Sequence, residues 1–157
     1  MDLATLELVV NTFTELGYPI IVFFTCGTSV GQAIDDIQNG CRIVEEVCSR
    51  NKVPYWVHVD CALLGTVLPF INNELSVPLQ FDFCLPQVSS MNVSAHKWHG
   101  MSWPCSVYIT RRTHCFKPSK EFASCAVSWE LGPFGCARNS NSAILLWYIL
   151  ATKTKEM

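Results

Sequence analysis

The chain has 157 residues, half of them hydrophobic (50%), and a formal net charge of −2. That composition suits one domain with a sizeable core and excludes a charge-rich disordered chain. So even a balance gives no electrostatic reason to expect nucleic acid or an anionic membrane as partner. The longest apolar runs, such as Ala143 to Ala151, fall far short of a bilayer span. No basic region followed by an apolar stretch is read as a secretory signal, so the expected location is cytoplasmic.

Leu3, Leu6, Val9, Val10, Phe13 and Leu16 recur at helical spacing over Met1 to Leu16, with Gly17 as the expected stop. Pro19 introduces Ile20-Ile21-Val22-Phe23-Phe24, a continuous apolar run expected of a strand buried on both faces. Thr25-Cys26-Gly27-Thr28-Ser29 is the loop at its carboxyl end. A second helix is predicted from near Asp35 to Arg50, with Ile34, Ile37, Cys41, Val44, Val47 and Cys48 as its buried stripe. Asn51 and Pro54 break it before a strand from Tyr55 to Val59. Strand, helix, strand makes one crossover unit, the physical basis for a parallel sheet.

Cys61 to Phe70 is apolar, and Asn72 to Pro86 is polar and punctuated by proline. Gln87 to Val93 and Cys105 to Thr110 read as two further strands. Thr113 to Ser128 shows little pattern and is expected to run over the surface. Ser142 to Thr152 starts an apolar helix, with Asn139, Ser140 or Asn141 as cap. No internal repeat or domain boundary is visible.

Nine cysteines stand at positions 26, 41, 48, 61, 84, 105, 115, 125 and 136, with no CxxC pair. The odd count, the spread and the apolar contexts favour reduced thiols over a disulfide scaffold. His114 with Cys115 is the nearest approach to clustered zinc ligands, so no metal site is predicted.

Two residues carry chemistry. Asp60 follows the strand Tyr55 to Val59, and Lys97 follows the strand Gln87 to Val93. In a parallel α/β sheet both would emerge at the carboxyl edge, where ligands bind. A lysine amine can form a Schiff base there, and a carboxylate can hold a proton on a pyridine nitrogen. Taken singly, a strand-end aspartate is often a turn or cap residue, and a lone lysine is usually on the surface.

Five segments resemble the group II pyridoxal-phosphate-dependent amino-acid decarboxylases, nearest to histidine decarboxylase-like and serine decarboxylase-like members. They are Thr25-Cys26-Gly27-Thr28-Ser29 with Ala33-Ile34-Asp35, His58-Val59-Asp60-Cys61-Ala62, Ser94-Ala95-His96-Lys97-Trp98, Pro104 to Arg111, and Ala137-Arg138-Asn139 leading into Leu146-Trp147-Tyr148. Each is weak alone; their shared order from about Pro19 to Leu150 carries the resemblance.

The resemblance implies a three-layer α/β/α, mostly parallel sheet of the aspartate-aminotransferase-like type (fold type I). Residues 1–157 would form a single partial pyridoxal-phosphate-binding large domain, with an N-terminal segment and a C-terminal small domain outside them. The implied activity is decarboxylation of an amino acid, histidine- or serine-like, through a Schiff base on Lys97. Lys97 and Asp60 would be catalytic and would hold the cofactor, pyridoxal 5'-phosphate. Burial would favour the neutral amine that Lys97 needs. Ala62 matches a small residue against the cofactor ring; a plain core role is its alternative. His96 and Ser94 match phosphate contacts, and Thr28 and Ser29 match a hydroxyl pair that touches the cofactor or its carboxylate partner.

His58 lies two residues before Asp60, hence on the same strand face, and either orients Asp60 or packs in the core. Arg138 matches a loop arginine that approaches a neighbouring active site in homodimers of this fold. Trp98, Trp103, Trp129 and Trp147 are expected in the core or an interface. Asn92-Val93-Ser94 spells a glycosylation acceptor, discounted in a buried strand of a non-secreted chain. The family has glycine where this chain has Gln32, a costly replacement if the backbone there needs positive φ. A different lyase or transaminase chemistry on the same fold, or a non-catalytic fragment, are the alternative readings.

Overall fold

The computed structural model describes residues 1–74, 78–115 and 140–153. The chain forms two compact units, Met1–Thr110 and Arg111–Met157.

In the first unit, helix α1 (Leu3–Glu15) starts at Asp2, whose carboxylate accepts from Thr5 N–H at 2.7 Å. It buries Leu6, Val10 and Thr14. Strand β1 (Ile20–Thr25) follows, then helix α2 (Ile37–Asn51), capped by Asp36 through Asn39 N–H at 3.2 Å. The α2 stripe Ile37, Cys41, Val44, Val47 and Cys48 is buried, as its spacing predicts, whereas Ile34, expected in it, precedes the helix, bridges to Cys26 and is half-buried. Strand β2 (Tyr55–Asp60), the short helix α3 (Leu68–Ile71), and strands β3 (Val88–Ser94) and β4 (Ser106–Thr110) complete the unit.

The sheet order is β1-β2-β3-β4. β1, β2 and β3 run parallel, and β4 returns antiparallel to β3. One face, carrying Val22, Phe24, Val57 and Val59, meets α1 and α2 to form the core. Full burial of side chains such as Phe24 and Val57 stabilises the fold by roughly 1.5–3 kcal/mol each.

β1 departs from the expectation of a strand buried on both faces. Its residues alternate, with Ile21 67% and Phe23 62% exposed while Val22 and Phe24 are buried. β1 is an edge strand, and within its unit helices cover only the Val22–Phe24 face.

The β2–β3 register slips once. Val57 pairs with Val88, but His58 pairs with Ser90, so Ser89 is the extra residue of a bulge. Its hydroxyl accepts from Val57 N–H at 3.3 Å, and its carbonyl accepts from the Thr110 hydroxyl at 2.8 Å. Beyond the bulge Asp60 pairs with Asn92.

The second unit contains helix α4 (Ser140–Lys153), close to the expected Ser142 to Thr152. Ile144, Trp147, Tyr148 and Leu150 are exposed on it. Among the described residues no helix is long and apolar enough to cross a membrane.

Candidate active site

Because β1, β2 and β3 are parallel, their carboxyl ends share one edge. Asp60 is the last residue of β2, and Ser94, the last of β3, leads into the turn that holds Lys97. Asp60 is half-buried. Its Oδ1 accepts from Ala62 N–H at 3.0 Å and from Asn92 Nδ2 at 3.1 Å. Among the described residues no donor reaches the other oxygen, Oδ2.

Above Asp60 on the same strand face lies His58. Its Nδ1 sits 2.8 Å from Ser90 Oγ, and its Nε2 sits 2.9 Å from Asn92 Oδ1. Trp56 Nε1 donates to Ser90 Oγ at 2.9 Å. The imidazole stacks on Tyr108, centroids 5.8 Å apart and planes at 10°, and tilts against Phe23 at 5.0 Å. With Ile21 these side chains line an open hollow of about 500 Å³ on the sheet face opposite α1 and α2.

The loop after β1 folds back on itself. Thr28 Oγ1 accepts from Ala33 N–H at 3.0 Å, and Gln32 N–H donates to the Thr28 carbonyl at 2.9 Å. Cys26 and Ile34 form an antiparallel bridge. Asp35 Oδ2 then accepts from Thr25 N–H at 2.8 Å, and Oδ1 meets the amino terminus of Met1. Thr28 and Ser29 are exposed at the same edge as Asp60. Gln32 adopts φ +50, whereas Gly31 has no positive φ, so the left-handed position does carry the non-glycine residue.

Lys97 is exposed rather than buried, since the turn at 95–99 projects past the strand end. His96 is exposed too; its Nδ1 accepts from Cys105 N–H at 3.1 Å and lies 2.9 Å from that carbonyl. Ser94 is 4% exposed, with its hydroxyl 3.0 Å from Ser106 Oγ. Ala62 is half-buried beside Asp60. Trp98 and Trp103 lie outside the core, 53% and 50% exposed, because both belong to the segment beyond β3. Arg138 and Trp129 lie outside the described residues, as do Cys125 and Cys136.

Beneath Asp60, Cys26 and Cys61 are fully buried. The Cys61 thiol is pushed far up, first by its hydrogen bond with Cys26 and then by burial. The seven described cysteines form no disulfide.

Ser90 and Asn92 escape sequence reasoning, although a signal exists. Ser90, Asn92 and Ser94 alternate with Met91 and Val93 along the strand, the pattern of one polar sheet face, although Ser89 interrupts it at the start. What the pattern lacks is its partner on β2.

The fold and the edge chemistry define a class. Residues 1–126 match the pyridoxal-dependent decarboxylase conserved domain, and the chain belongs to that family. Among similar proteins is histidine decarboxylase of Solanum lycopersicum, 32% identical over 136 residues, covering 86% of this chain and 30% of the relative. Serine decarboxylase 1 of Oryza sativa subsp. japonica is 31% identical over 137 residues, covering 86% of this chain and 26% of the relative. The chain thus spans about a third or less of these two relatives' length. L-Methionine decarboxylase from Streptomyces sp.590 shares the fold, with a TM-score of 0.78 at 24% identity, over 96% of this chain and 37% of that one.

Proposed function

We propose that this chain contributes the cofactor-anchoring part of a pyridoxal-phosphate-dependent amino-acid carboxy-lyase. One observation carries the reading: parallel β2 and β3 deliver a tethered carboxylate, Asp60, and the Lys97 turn to one sheet edge. The donor set fits the cofactor. Asp60 Oδ1 is held by Ala62 and Asn92, which leaves Oδ2 for a pyridine N–H. Bound there, pyridoxal phosphate would supply an electron sink for the bond that breaks as the substrate carboxylate leaves as carbon dioxide.

Lys97 would anchor the cofactor covalently through its amine, and Asp60 would hold the proton on the ring nitrogen. Ala62, small and adjacent, would leave room for the ring. Ser94, His96, Thr28 and Ser29 would provide hydroxyl and imidazole partners at the phosphate end or near Asp60. For Ser94 this requires its hydroxyl to turn from Ser106. The names of the relatives favour a histidine- or serine-like substrate; a cytoplasmic location and a homodimer in the full-length form belong to the same proposal.

Cofactor trapping tests the reading. The purified chain is incubated with pyridoxal phosphate, reduced with borohydride and mapped by mass spectrometry. The pyridoxyl group is expected on Lys97 and absent from Lys97→Ala. Labelling spread evenly over Lys52 and the other lysines would overturn the assignment. Carbon dioxide release from histidine and serine, measured on the full-length form, then separates the substrates.

A further inference from the structure

We infer that His58 and Asn92 are positioning residues for Asp60: a directed hydrogen-bond chain from Trp56 determines which carboxylate oxygen remains open. This rests on the cofactor reading above and adds to it the groups that aim its carboxylate.

The direction follows from donor and acceptor inventory. An ionised carboxylate only accepts, so Asn92 must turn Nδ2 toward Asp60 Oδ1, at 3.1 Å. Asn92 Oδ1 then faces His58 Nε2 at 2.9 Å, and because it can only accept, Nε2 must carry a hydrogen. In the neutral ring Nδ1 is left as the acceptor, and Ser90 Oγ lies 2.8 Å away with its own hydrogen to give. Ser90 Oγ in turn receives Trp56 Nε1–H at 2.9 Å. Each donor meets an acceptor. Turning the Asn92 amide over would set acceptor against acceptor at Asp60, a clash that no change of His58 tautomer relieves.

Two further features hold the chain in place. The Ser89 bulge sets the pairing, since a regular ladder continuing from Val57–Val88 would put Met91, not Asn92, beside Asp60. Phe23 and Tyr108 flank the imidazole and restrict its rotation. His58 is only 9% exposed, so water competes poorly for its nitrogens.

The test uses two substitutions that separate hydrogen bonding from packing. His58→Phe keeps a ring between Phe23 and Tyr108 but removes the donor. His58→Gln loses the ring but keeps an amide nitrogen near the Nε2 position. Pyridoxal phosphate affinity is expected to fall about tenfold or more in His58→Phe and in Asn92→Leu, and to stay within about threefold in His58→Gln. The reverse order, with Phe retaining affinity and Gln losing it, would mean that His58 only packs. A second readout needs no cofactor. Nitrogen NMR of the apo chain is expected to show hydrogen on His58 Nε2; a neutral ring protonated only at Nδ1 would overturn the chain directly. Failure of the wild-type chain to label at Lys97 would remove the cofactor reading and this role together. Wild-type labelling with unchanged affinity in all three variants would remove the positioning role alone.

Discussion

A Cβ added to Gly27 would lie 2.5 Å from Leu64 Cγ. Gly27 begins the loop after β1, and Leu64 sits in the turn after β2. The contact therefore packs two site-forming loops together, and it depends on the absence of a side chain. Gly27 also adopts φ +99, which L residues rarely tolerate. Gly27→Ala is expected to destabilise the chain by about 2–4 kcal/mol, combining backbone strain with overpacking. Adding Leu64→Ala should remove only the overpacking part, so its cost should be less than additive. Gly17→Ala provides the comparison: φ is +80, but no atom lies within 4 Å, so only strain should appear. Urea midpoints of Gly27→Ala, Leu64→Ala, the two combined and Gly17→Ala check this.

Gln32 at φ +50 predicts the opposite sign. Gln32→Gly removes left-handed strain in the turn that carries Thr28 and Ser29. A gain of up to about 1 kcal/mol is expected, reduced by the added freedom of glycine in the unfolded chain. An unchanged or lower urea midpoint would show that the Gln32 side chain compensates its own backbone.

Ser89 offers a test of the bulge. Its hydroxyl accepts from Val57 N–H at 3.3 Å, next to the register slip. Ser89→Ala is expected to cost about 1 kcal/mol by removing that hydrogen bond. Slower hydrogen exchange at Val57 in the variant would contradict the assignment.

Alkali should weaken the fold through its buried thiols. Burial, and then Glu45, push the Cys41 thiol from 9.0 up to about 12. The folded chain keeps that proton while the unfolded chain releases it near the ordinary value. The contribution is full below about pH 9 and falls as pH rises toward 12. The urea midpoint is expected to drop between about pH 8 and about pH 10, and less so in Cys41→Ala measured against its own neutral-pH value. Native alkylation should modify exposed Cys84 and Cys115 and spare buried Cys26, Cys41, Cys48 and Cys61.

Much of the framework was legible because it is local. The helical stripe of α2 and the apolar runs of β1 and β2 announce a strand–helix–strand unit in order. From it follow the parallel edge and the emergence of Asp60 and the Lys97 turn there. Whether a strand is covered on one face or two is not local. Ile21 and Phe23 read as core residues, and they are exposed because, among the described residues of their unit, helices cover only the opposite face of the sheet. Lys97 likewise reads as buried from its motif, while its turn stands outside the packed layers.

The sequence by itself determined the elements, their order and the family, because periodicity, caps and motif spacing are properties of adjacent residues. Tertiary structure decided what surrounds Asp60. His58 and Asn92 are separated by 34 positions, and they meet only because Ser89 is taken out of the β2–β3 ladder. A side-chain period of two makes that single-residue slip decisive: on one register Asp60 faces an amide, on the other a thioether. The position of a bulge is settled by packing on both strands at once, so neither strand's residues announce it alone.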